Sequence, residues 1–185
     1  MRRFLLLLVF CFIIVMAIVS LYEREDDKTV PQKLERAMRL TQMMAYQDDD
    51  FDYTIRHPKF FEQTDDSLLD KGCCRFSFWQ DSTEIVQTAF VEPNPDSLTV
   101  EQAMQKYASD LHAMQQIKGD DYFILSGSLH TDTGQIAGRR YYAKFVKHRK
   151  LWFVQSLTYP EDCEQALNRL RQEIDKWTVW ENLEF

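Results

Sequence analysis

From Phe4 to Val19 the chain carries apolar residues without a break, and a regular alternation of apolar and polar positions begins only much later, at Phe51. The opening run follows Arg2 and Arg3 and is extended by Ser20, Leu21 and Tyr22. A helix needs about 20 apolar residues to cross a ~30 Å hydrocarbon core. Residues 4–22 are therefore expected to form a transmembrane helix that acts as a signal anchor. A cleaved signal peptide is the alternative, although the run exceeds the usual apolar region of roughly 7–15 residues. Neither Ala17 with Val19 nor Ile18 with Ser20 supplies two small residues for cleavage, and Phe10 before Cys11 does not suit lipid attachment. Positive residues stay on the cytoplasmic side. Arg2 and Arg3 thus place the N-terminus in the cytoplasm and the body outside, in the periplasm if the cell is a Gram-negative bacterium.

Residues 23–46 read as a charged tether containing Pro31, followed by a juxtamembrane helix with its stripe at Leu34, Ala37, Met38, Thr41, Met44 and Ala45. Residues 47–185 read as one domain. Phe51, Tyr53 and Ile55 alternate with polar residues until His57-Pro58 stops the strand. Cys74, Phe76 and Phe78 alternate with Arg75, Ser77 and Trp79, and residues 84–91 return across the turn at Asp81 as a hairpin. Thr99 and Gln102 form a capping box that opens a helix with Val100, Ala103, Met104, Tyr107 and Leu111 on one face. Strands follow over 122–130, 135–147 and 151–159, and the stripe Cys163, Leu167, Leu170, Ile174, Trp177 predicts a closing helix. The expected fold class is α+β, with a mostly antiparallel sheet of about six strands covered by helices and preceded by the transmembrane helix.

Net charge narrows the functional classes. The chain carries a formal charge of −7, whereas nucleic-acid affinity comes from clustered Lys and Arg on phosphates. No nucleic-acid partner is expected. One basic strip stands against this acidity: Arg139, Arg140, Lys144, Lys147, His148, Arg149 and Lys150, with Trp152 beside it. It is the candidate surface for a protein partner, set against a solvated hairpin whose charges offset the acidic remainder.

Candidate chemistry is sparse. Cys73 and Cys74 point to opposite faces of a strand. In an oxidising compartment Cys74 and Cys163 form a candidate disulfide, Cys73 and Cys163 a second, and reduced buried thiols are the alternative to both. A thiol-based envelope role through Cys73 and Cys74 has no C-x-x-C motif behind it. His57, His112, His130 and His148 lack metal-ligand spacing, and the acidic run at Asp48–Asp52 lacks the glycine and distal glutamate of a calcium loop. No catalytic residue, cofactor or metal ligand is assigned. An enzyme with an unrecognised site, using His57 or His130 with a carboxylate, and a small-molecule-binding domain stay open beside the binding module.

The strand-then-proline segment Tyr53-Thr54-Ile55-Arg56-His57-Pro58, the hairpin after it, the long middle helix, the strand ending Leu157-Thr158-Tyr159-Pro160 and the last helix closing on Trp177 together resemble the Mog1p/PsbP-like fold family over about residues 50–180. The resemblance implies a mostly non-catalytic domain, a binding or assembly factor, and carries over no catalytic residues. The expected function is a membrane-anchored, exported binding or accessory module, with a protein partner in the envelope met through the basic hairpin and exposed aromatics such as Trp152 and Trp180.

Overall fold

The computed structural model describes residues 28–179, together with Ile14 and Met16. The rest of the expected anchor, and Trp180, lie outside the described residues. Among the described residues no helix is long and apolar enough to cross a membrane.

The first helix, α1 (Val30–Leu40), has Pro31 in its first turn, where a missing N–H costs nothing. Thr29 N–H donates to Gln32 Oε1 at 3.1 Å to cap it. The chain then forms the hairpin β1 (Met43–Asp48) and β2 (Tyr53–Pro58), which is a two-stranded sheet of its own. Next come β3 (Glu62–Gln63), β4 (Cys74–Gln80), β5 (Thr83–Pro93), α2 (Val100–Asp110), β6 (Gln115–Lys118), β7 (Tyr122–Thr131), β8 (Gly134–His148) and β9 (Leu151–Pro160). Two 3-10 turns, Glu161–Cys163 and Gln165–Leu167, lead into α3 (Asn168–Lys176). The main sheet has seven strands in the order β3-β4-β5-β9-β8-β7-β6, with every neighbouring pair antiparallel.

The α+β class and the antiparallel pairing match the expectation; the strand count does not. β3 is only two residues long and exposed, and all four residues of β6 are exposed. Edge strands of that kind carry no apolar alternation to read. The expected boundary after residue 46 falls inside β1. Met43, Met44 and Ala45 suit a helix by propensity, but α1 ends at Leu40, where Thr41 turns extended with ψ 149°. Pairing of β1 with β2 then overrides the local preference. The last helix also starts later than its stripe suggests, since residues 161–167 are wound as 3-10 turns.

Alternation along the sheet sends side chains to two faces. One face is buried on Phe76, Ile85, Phe153 and Leu157, and it is covered by Leu34 and Met38 of α1, Tyr53 and Ile55 of the hairpin, and Leu170, Ile174 and Trp177 of the C-terminal segment. Three polar ties fix this cover. Arg169 Nη1 donates to the carbonyls of Met38 and Thr41 at 2.8 and 2.9 Å, meeting oxygens that the end of α1 leaves free. Trp177 Nε1 donates to Thr54 O at 2.8 Å, and Gln87 Nε2 to Arg56 O at 2.8 Å. Gly72, at φ +73°, lets the Phe51 ring lie where a Cβ would sit only 2.5 Å away. The other face holds Phe123, Leu125, Tyr141, Ala143, Phe145, Trp152 and Val154, and α2 is the helix above it.

Candidate functional site

The two faces are covered unequally. An 11-residue helix such as α2 is about 16 Å long, while seven strands about 4.8 Å apart make a sheet roughly 29 Å across. α2 cannot cover that width. It lies over β6 and β7, with the Tyr107 ring 4.8 Å from Phe145 and 6.1 Å from Phe123. The half of the face toward β4 stays open. There Arg75 and Trp79 of β4 are exposed, Trp79 at 62%, beside half-buried Ser77 and Thr88 and buried Val86 of β5.

Where α2 ends against this open half, a groove of about 300 Å³ forms. Its apolar walls come from Phe90 and Val154 of the sheet and Tyr107, Leu111 and Leu129 around the helix end. The polar lining is Glu92, Asp110, His130, Tyr141, Ser156 and Thr158. Tyr107 donates its hydroxyl to Glu92 Oε2 at 2.7 Å; burial, and then this carboxylate, hold the phenol protonated well above its usual range. His130 donates from Nδ1 to Ser128 O at 2.9 Å, and its ring lies 4.5 Å from that of His112. Tyr141 differs from its neighbours. It is 5% exposed, its hydroxyl is shut off from solvent, and no group among the described residues bonds to it. Burial alone pushes its phenol up to about 12.

The basic strip predicted as one surface is divided by the strand alternation. Lys144 and Trp152 are corrected: they are 3% and 1% exposed and belong to the interior. Lys144 turns to the α3 side, donating from Nζ to the carbonyls of Asp175 and Trp177 at 2.6 and 2.7 Å and lying 4.4 Å from the Tyr122 ring. Trp152 packs edge-on to Phe123 under α2. Arg140 lies on the same face as Lys144 and pairs with Glu161 at 3.1 Å and Glu164 at 3.7 Å at the 3-10 turns before α3. Arg139 donates to Glu84 O at 2.5 Å across the end of β9, and Lys147 to Leu98 O at 2.6 Å. Arg149 is exposed in the β8–β9 turn at φ +55°. The sequence reading overlooked Trp79, whose signal was its place on the outward alternation with Arg75 and Ser77.

The remaining candidates are also placed. Cys73, Cys74 and Cys163 are free thiols, and Cys74 and Cys163 lie in the same core, on the α3 side. His57 stacks on Phe76 on that side, whereas His130 lines the groove on the opposite face. The structure does not bring these two histidines together. Among the described residues, no group of three or more His, Cys, Asp or Glu side chains is arranged to hold a metal ion.

Among solved structures, the chain is similar to the solution structure of cyanobacterial PsbP (CyanoP) from Synechocystis sp. PCC 6803. The TM-score is 0.54 at 13% sequence identity, over 76% of this chain and 94% of that one. The fold is PsbP-like. No protein-family model and no curated protein matches the sequence.

Proposed function

We propose that this chain is a non-catalytic binding or accessory module, held at the outer side of a membrane by residues 4–22, that meets a protein partner through the open half of its sheet. The observation that carries the reading is the 62% exposure of Trp79 on the part of the sheet face that α2 does not reach. Tryptophan and arginine are the residues that most often anchor protein interfaces. Trp79, Arg75 and the Arg139 guanidinium, bound to Glu84 O beside it, provide both on one surface. The basic and apolar N-terminal segment supports the tether, since about 20 apolar residues behind two arginines suit an anchor with its body exported.

A photo-crosslinking amino acid placed at position 79 of the full-length, membrane-bound protein tests the reading in cells. Gln172, exposed on α3 at the opposite side, is the reference position. One protein adduct from position 79, absent from position 172 and diminished by Arg75→Glu, is the expected result. Equal adducts from both positions, or none from position 79, retire this surface as the binding face.

A further inference from the structure

The groove at the end of α2 has a composition that selects a ligand, independently of any partner on the open face. We infer that it binds a small amphipathic amine: an aromatic-sized apolar body with a single ammonium group. A volume of about 300 Å³ lies at the small end of ligand sites and suits one or two rings. Phe90, Val154, Leu111 and Leu129 form an apolar wall for such a body.

Charge decides the head group. The carboxylates lining the groove are Glu92 and Asp110, and no lysine or arginine lines it. An anion would enter against two like charges and find no lysine or arginine among the lining residues, where His130 is the one basic side chain. Glu92 is already engaged by Tyr107, which leaves Asp110 as the less committed carboxylate.

The Tyr141 hydroxyl supplies the second, independent observation. Buried polar groups are nearly always hydrogen-bonded, and one left alone calls for a partner the structure lacks. Asp110 and Tyr141 both line the groove. Asp110 closes α2 two residues before His112, whose carbonyl lies against Gly127, and Gly127 pairs across the strands with Tyr141. An ammonium carries three N–H donors, enough in number to serve both the Asp110 carboxylate and the Tyr141 oxygen once the head group settles against that wall. Gly127 lets the Tyr141 ring and the His112–Met114 backbone pack against the strand: a Cβ there would lie 3.3 Å from that ring and 3.2 Å from two backbone atoms.

The test uses the full-length protein in zwitterionic lipid nanodiscs, with empty discs as the blank, and two probes that share an indole ring: tryptamine, a cation, and indole-3-acetate, an anion. Calorimetric titration should show tryptamine binding at least about tenfold tighter than indole-3-acetate, the size of effect that one charge-assisted hydrogen bond supplies. Tyr141→Phe should weaken tryptamine roughly threefold to tenfold, the worth of a single hydrogen bond. Asp110→Asn should shrink the preference for the cation, and Ser156→Leu, which fills the groove, should abolish binding. Equal binding of the two probes, tighter binding of the anion, heat no greater than with empty discs, or tryptamine binding that survives Ser156→Leu would each overturn the inference. The probe comparison needs no variant, so a misfolded mutant cannot rescue the idea. Crosslinking at position 79 reports on the partner face separately.

Discussion

Lys144 Nζ donates to the carbonyl oxygen of Trp177 at 2.7 Å, joining the middle of β8 to the segment that follows α3. The amine is 3% exposed and also holds the Asp175 carbonyl at 2.6 Å. Burial lowers its pKa from the usual lysine range, against the opposing pull of Asp175. Removing it leaves two carbonyls at the end of α3 without their donor. Lys144→Met is expected to cost about 2–4 kcal/mol, the range for stranding buried groups of this kind. Urea denaturation of the variant gives the value. A loss below about 0.5 kcal/mol would mean that water replaces the amine at no cost.

The two tryptophans of opposite burial should separate stability from surface function. Trp152 is 1% exposed and packs on Phe123; Trp79 is 62% exposed. Trp152→Ala should lose about 3–5 kcal/mol, as large aromatic deletions in cores do. Trp79→Ala should stay within about 0.5 kcal/mol of the parent, as exposed substitutions do. Thermal melts of the two variants check both values. Similar melting temperatures for the pair would contradict the burial assigned to them.

The contrast between these tryptophans also marks what could be read from the sequence. Strands whose residues alternate between core and surface were legible: Cys74, Phe76 and Phe78 against Arg75, Ser77 and Trp79 placed β4 correctly, and the Thr99–Gln102 box marked the start of α2. β8 and β9 were harder, because they are central strands buried on both faces. Lys144 and Trp152 there resemble surface residues in composition, and only the helices packed above and below settle their burial. β1 looked helical because its propensity is helical, and β6 carried no pattern because every residue in it is exposed. The groove was illegible for a different reason. Tyr107, Glu92 and Tyr141 are distant in sequence and meet only because α2 stops short of covering the sheet.

Thiol chemistry offers a further check. Burial pushes the Cys74 and Cys163 thiols up to about 12, and burial raises Cys73 as well, with Asp70 adding to it. Thiolates, not thiols, are the reactive form. Cys74 and Cys163 should be alkylated by iodoacetamide at pH 7.5 on the order of a hundredfold more slowly in the native protein than after unfolding, and half-buried Cys73 more slowly by a smaller factor. Intact-mass spectrometry with and without urea measures this. Rapid native labelling at Cys73 would favour a thiol-based role. A mass two hydrogens short that resists labelling even in urea would show that an oxidised pair, such as Cys74 with Cys163, forms in the exported protein.

Acid should weaken the fold before the carboxylates begin to titrate. The His57 ring stacks on Phe76 with centroids 3.9 Å apart and donates from Nδ1 to Pro58 O at 3.1 Å. Burial lowers its pKa more than that hydrogen bond raises it. His148, 6.2 Å from Phe153, is also lowered, by burial and then by Arg149. Unfolding returns both rings to the ordinary value of about 6.5. Between each lowered folded value and about 6.5 the unfolded chain binds more protons than the native one, so stability rises with pH across that window. It is lost as pH falls through the window, and the loss is complete below the folded values. Urea midpoints measured from pH 7 down to about 5 should therefore decline. His57→Gln and His148→Gln should each flatten part of the decline, and the double variant most of it. A double variant with the same slope as the parent would assign the acid sensitivity to other groups and remove these histidines as its source.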